Sequence, residues 1–108
     1  MQVPVEISYK DVDKSEWIEE FLQERVDKLQ RFARELISCR VAVEKDHKRG
    51  QGGNPYYVRV ETHLPGKKRL ATASEDLEAR EDSRTELQNA IRDAFEAMEK
   101  RLKKAAGK

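Results

Sequence analysis

Cysteine occurs once in these 108 residues, at Cys39, so no disulfide can form within the chain and a reducing compartment suits it. Histidine occurs twice, at His47 and His63, and neither has a cysteine or carboxylate at metal-ligand spacing. No apolar run approaches the roughly 20 residues of a membrane span. The opening MQVPVEISYK has neither a basic start nor an apolar signal core, which reads as a cytoplasmic protein. Gly50, Gly52 and Gly53 precede a strand pattern instead of opening a helix, so they do not make a phosphate loop. What the chain has in plenty is charge: 40% of residues are charged and 37% hydrophobic, yet the net charge is only +1. A low apolar share in a short chain predicts one domain, residues 1–108, built as two layers with one apolar face per element. Strong periodicity of the apolar residues excludes disorder.

Val3, Val5, Ile7 and Tyr9 alternate with polar residues and predict a strand, at a sheet edge because Pro4 lacks an N–H. Asp13 and Glu16 have capping-box spacing. After them Ile18, Phe21, Leu22, Val26, Leu29, Phe32, Ala33 and Leu36 predict a helix over 14–35. Ile37, Cys39, Val41 and Val43 predict a second strand, all four on its inward face. Residues 45–54 read as a mobile loop. Tyr56, Val58, Val60, Thr62 and Leu64 predict the inward face of a third strand, and Pro65–Gly66 a type II turn. A fourth strand is expected over 69–74, then an irregular acidic stretch over 75–82. Ser83 and Glu86 form a second capping box, opening a helix to about Ala105 whose stripe is Leu87, Ile91, Ala94, Phe95, Met98 and Leu102.

The order β-α-β-β-β-α predicts an α+β two-layer sandwich. Strands one and two are parallel across a right-handed crossover, and strands two to four form an antiparallel meander. This makes a four-stranded mixed sheet with two helices on one face. The other face turns Arg40, Tyr57, Arg59, Glu61 and His63 to water.

No catalytic constellation emerges. Cys39 shares a face with apolar residues and has no base to form a thiolate; His63 faces solvent and His47 lies in the loop. Glu96–Lys100 and Glu99–Lys103 have the spacing and polarity of plain helix support. The chain is therefore expected to be no enzyme, with no metal, cofactor or small-molecule substrate.

The bases say more. Arg25, Lys28, Arg31 and Arg34 follow Glu16, Glu19, Glu20 and Glu24, an order the helix macrodipole favours. Arg25 exceeds that explanation. It falls between Phe21 and Phe32 on the border of the apolar stripe, where a cation must snorkel along its stem. With Lys28 it makes a flank of bases and aromatics facing the groove between the helices. The second helix adds Arg92, Lys100, Arg101, Lys103 and Lys104; the loop adds Lys45, Lys48 and Arg49. The turn adds Lys67, Lys68 and Arg69, and is expected to project away from the helices. Four basic clusters on one small α/β layer point to a polyanion surface.

The order of motifs resembles the hibernation promoting factor and ribosome-associated inhibitor family, also called sigma-54 modulation or S30EA-type proteins. The resemblance rests on Met1-Gln2-Val3 before an alternating strand, Ser15-Glu16 at the helix start, and Val26-Asp27-Lys28-Leu29-Gln30-Arg31-Phe32 near its end. It continues with ISCRVAVE from Ile37 to Glu44, Ala90-Ile91-Arg92-Asp93-Ala94-Phe95, and Lys100-Arg101-Leu102. One departure stands out. The family's last helix begins Asp-x-Tyr-x-Ala-Ile, whereas here Gln88 replaces the tyrosine in Glu86-Leu87-Gln88-Asn89-Ala90-Ile91. The chain resembles the family's short forms, without the dimerising C-terminal domain.

The resemblance implies binding to the 30S ribosomal subunit and its 16S rRNA in the channel for mRNA and tRNA. It implies arrest of translation in starved or stationary cells, with no bond made or broken, by a protein that is monomeric off the ribosome and needs no membrane. It also implies that Arg25, Lys28, Arg31, Arg92, Lys100, Arg101, Lys103 and Lys104, at the family's basic helix positions, contact rRNA. Two other readings compete. A generic double-stranded-RNA module has a similar layout but a lysine-rich start to its last helix, where this chain has Glu81, Asp82 and Glu86. A protein–protein regulator of the sigma-54 kind would need an exposed apolar patch, and the sequence shows none clearly.

Overall fold

Alternation of period two and apolar stripes of period 3.6 become four strands and two helices in the computed structural model, which describes residues 4–45, 54–74 and 82–107. The elements are β1 (Val5–Lys10), α1 (Glu16–Phe32), β2 (Ser38–Lys45), β3 (Tyr56–His63), β4 (Leu70–Ala73) and α2 (Ser83–Gly107). The sheet order is β1-β2-β3-β4. β1 pairs parallel with β2, Val5 opposite Cys39, and the next two pairings are antiparallel. β1 is therefore an edge strand, as Pro4 requires.

Both helices bury their stripes on the same sheet face. Ile18, Leu22, Val26 and Leu29 of α1 join Leu87, Ile91, Phe95, Met98 and Leu102 of α2 in one core. Cys39, Val41 and Val43 of β2 and Tyr56, Val58 and Val60 of β3 form its floor. Ile37 departs from the sequence expectation. It is 45% exposed, because β2 starts one residue later and Ile37 spends its N–H on the His63 carbonyl at 2.8 Å. α1 is also shorter than its periodicity predicts; Ala33 caps it and Leu36 is buried from the connection, not from the helix.

Neither predicted capping box forms. The N-cap of α1 is Ser15, which makes no side-chain cap bond. α2 is capped by Asp82, one residue before Ser83, whose carboxylate accepts the Thr85 N–H at 2.9 Å. That backbone bond, with a smaller contribution from the Thr85 side chain, lowers the Asp82 pKa below its ordinary value. A depressed carboxylate stabilises the fold above the unfolded pKa, and the contribution is lost as pH falls through the folded one. Asp82→Ala should therefore lower the melting temperature at pH 7 and converge on the parent near pH 2. Melts followed by circular dichroism across that range check it.

The Pro65–Gly66 turn is as predicted: Gly66 has φ +68° and Lys67 N–H reaches the Leu64 carbonyl at 3.2 Å. Its placement differs from expectation. The Thr72 hydroxyl donates to the Ala94 carbonyl at 2.8 Å and the Thr62 hydroxyl meets Met98 Sδ at 3.3 Å, so α2 descends toward the turn. Lys67, Lys68 and Arg69 thus lie at the end where both helices finish. The loop read over 45–54 is anchored at both ends. Lys45 closes β2, and Asn54 is fully buried, donating to the Glu86 carbonyl at 2.8 Å and accepting the Tyr56 N–H at 2.9 Å. Residues 46–53 and the acidic stretch 75–81 lie outside the described residues.

Cys39 is 2% exposed and burial pushes its thiol up to about 12. Native protein should resist a thiol reagent such as iodoacetamide at pH 8, and label only after unfolding; rapid native labelling would contradict the burial.

Candidate nucleic-acid interface

The two helices run parallel, and their facing flanks meet side chain by side chain. The Arg92 guanidinium lies 5.6 Å from the centre of the Phe21 ring, Lys28 Nζ lies 3.6 Å from Glu99 Oε2, and Lys103 Nζ lies 4.6 Å from the centre of the Phe32 ring. Each pair joins a residue of α1 to the residue of α2 that lies 71 places later. A constant offset means that one register holds along the seam, because both helices advance by the same rise per residue. Arg25 lies over the same Phe21 ring, at 5.3 Å, one turn along α1. At the top of the seam Arg84 stacks on Trp17 at 4.6 Å, and Trp17 meets Phe21 edge-on at 6.4 Å.

These aromatic faces hold cations through the ring quadrupole while leaving donors free for a further partner. Two guanidiniums share the Phe21 ring, so their mutual repulsion is relieved by anything anionic placed between them. Arg25 Nε is shut off from solvent with no hydrogen-bond partner. An unmet buried donor costs about 1–3 kcal/mol. Glu99 pairs across the seam with Lys28. Its side chain is 12% exposed and it neutralises Lys28, which is 45% exposed.

The eight basic positions read from the sequence divide into three groups. Arg25, Lys28, Arg92 and Lys103 meet in the seam. Arg31 and Lys104 are exposed on the solvent side of the last turns, where the negative helix ends favour them. Lys100 and Arg101 lie on the opposite flank of α2, along β4. The open sheet face is a weaker anion surface, because Arg40 is held by Glu6 at 3.0 Å and Glu61 at 3.9 Å.

Sequence reasoning found the Phe21–Arg25–Lys28–Phe32 flank but not its partners. Trp17 one turn before Phe21 was the available signal for Arg84; nothing within either helix alone announces the pairing register. Among the described residues no group of three or more His, Cys, Asp or Glu could hold a metal, and no helix is long and apolar enough to cross a membrane.

A family model described as Sigma 54 modulation protein / S30EA ribosomal protein matches residues 5–108. Among solved structures the chain is similar to a ribosomal subunit interface protein from Coxiella burnetii, with TM-score 0.74 and 15% identity over 98% of this chain and 100% of that one. It is also similar to the N-terminal domain of Thermus thermophilus Protein Y, with TM-score 0.65 and 18% identity over 97% and 99%. At these identities the likeness is one of fold. A search of curated proteins gives no match to the sequence.

Proposed function

Because the chain belongs to the sigma 54 modulation protein / S30EA ribosomal protein family, we propose that it binds the small ribosomal subunit in the mRNA and tRNA channel and inhibits translation in stationary phase or stress. The observation that carries this reading is the seam: Arg25 and Arg92 over one phenylalanine ring, with Lys28 and Lys103 further along the same groove. Folded RNA is recognised largely by shape and phosphate, which asks for cations on a rigid frame. The seam meets that demand because its cations are fixed by rings in the groove between two packed helices. Such a role takes place in the cytoplasm, makes no bond and needs no cofactor. The 16S rRNA is its ligand, and the eight basic helix residues are the proposed contacts.

Phosphates entering the seam would replace Glu99 as the partner of Lys28. A generic duplex-RNA module fits less well, since α2 begins with Asp82 in its cap and Glu86 in its first turn. Two measurements test the proposal together. Purified protein added to ribosomes should sediment with the 30S subunit on a sucrose gradient, and should inhibit translation of a reporter mRNA in vitro. Sedimentation at the top of the gradient with translation unaffected would reject it. Cys39→Ser and His63→Ala should leave both readouts intact; a large loss in a well-folded variant would reopen catalysis.

A further inference from the structure

We propose that the groove between β4 and α2 docks an extended peptide segment by strand addition, in which a basic side chain precedes an acidic one. The groove holds about 550 Å³, on the flank of α2 away from the seam. β4 is the second edge of the sheet. Ser74 N–H bonds to the Val58 carbonyl and the Val58 N–H to Ser74 Oγ, so this pair points its polar groups toward each other. Directions alternate along a strand. Thr72 and Leu70 therefore also turn theirs to β3, and the N–H and C=O groups of Ala71 and Ala73 point outward. These unspent groups make a template for another strand. The outer edge of β4 lines the groove, and the small side chain of Ala97 on α2 leaves room for the added strand.

The rim decides what the strand carries. Lys100 and Arg101 stand at the Leu70 end, and Asp93 and Glu96 nearer the Ala73 end. A segment antiparallel to β4 starts beside the carboxylates and finishes beside the cations, so its base comes first and its acid last. Residues 93 to 100 of a helix span about 10 Å, which an extended chain covers in about three residues. Side chains on one face then fit at spacings of two or four. A second copy of this chain is a poorer occupant. A twofold axis at Thr72, whose hydroxyl bonds to the Ala94 carbonyl, would bring Asp93 and Glu96 of both copies together.

The test titrates the full chain against a fluorescein-labelled peptide, Lys-Val-Thr-Val-Glu, and the charge-reversed Glu-Val-Thr-Val-Lys, by fluorescence anisotropy. The first should bind at least tenfold more tightly. Ala73→Pro removes one outward N–H without touching the ladder to β3, and should cost at least tenfold. The double variant Lys100→Glu, Arg101→Glu makes the whole rim acidic and should abolish the peptide preference. Should Ala73→Pro fail to fold, amide exchange in the parent protein serves instead, with Ala71 and Ala73 slowing when peptide is added. Equal binding of both peptides by the parent protein, or exchange unchanged at Ala71 and Ala73, overturns the proposal. So does dimerisation in sedimentation equilibrium that Ala73→Pro abolishes.

Discussion

Phe95→Ala should lose about 3–5 kcal/mol of stability, the usual cost of emptying a buried aromatic site. Phe95 is fully buried and heads the largest of the wholly enclosed side chains. It lies in the middle of α2, inside the one core that joins both helices to β2 and β3. Neighbours cannot easily collapse into the space, because Ile91, Met98 and Leu102 are held by the same helix and the floor side chains stand on the paired strands β2 and β3. A small domain has about 5–15 kcal/mol in all, so this one change removes a large fraction. Urea unfolding should show the midpoint falling by more than about 1 M at unchanged slope. Phe95→Leu, which keeps most of the volume, should lose much less. A midpoint unmoved by Phe95→Ala would mean that α2 is not packed as described.

The fold was legible because each element carries a single clean period. β3 reads Tyr56, Val58, Val60, Thr62 and Leu64 inward, and all five are buried. Chain order then left few ways to connect four strands and two helices on one face. What did not show were features decided by one residue or by tertiary register. Asp82 wins the cap from Ser83 because its carboxylate reaches the Thr85 N–H, a choice that motif spacing does not resolve. Ile37 continues the alternation but sits before the ladder begins. Asn54 read as loop because polarity and neighbouring glycines outweighed the chance that its amide tethers β3 to α2. In the site, Arg25 was conspicuous by intruding on an apolar stripe. Arg92, Glu99 and Lys103 look like ordinary surface charges until the parallel packing of α1 and α2 sets the offset between them. The turn bases Lys67 and Lys68 looked remote for the same reason. The direction of α2 against the sheet, fixed by Thr62 and Thr72, was needed to place them.

Replacing Arg25 and Arg92 by glutamine should weaken binding to the small subunit by at least tenfold. Hydrogen bonds to charged groups contribute about 1.5–3 kcal/mol each, less where solvent screens them as at exposed Arg92. Glutamine keeps much of each stem, so the helices should stay packed and circular dichroism should be unchanged. Lys28→Gln should act in the same direction but more weakly, because Glu99 already neutralises that charge. Glu99→Gln should tighten binding by freeing Lys28. The turn pair Lys67 and Lys68 shares the basic end of the molecule and is no neutral control; Lys10 and Lys14, at the end where α1 begins, are.

The most direct test is a titration of 30S subunits at several salt concentrations with the parent protein, the Arg25→Gln, Arg92→Gln pair and the Lys10→Gln, Lys14→Gln pair. Removing one bound phosphate from the interface should reduce the slope of log K against log salt by about 0.7–0.9. If the seam is the binding surface, the slope should be shallower by about 1.4–1.8 for the arginine pair and unchanged for the lysine pair. Equal slopes for all three proteins, or equal weakening by both pairs, would contradict it and leave a diffuse charge effect in place of a seam.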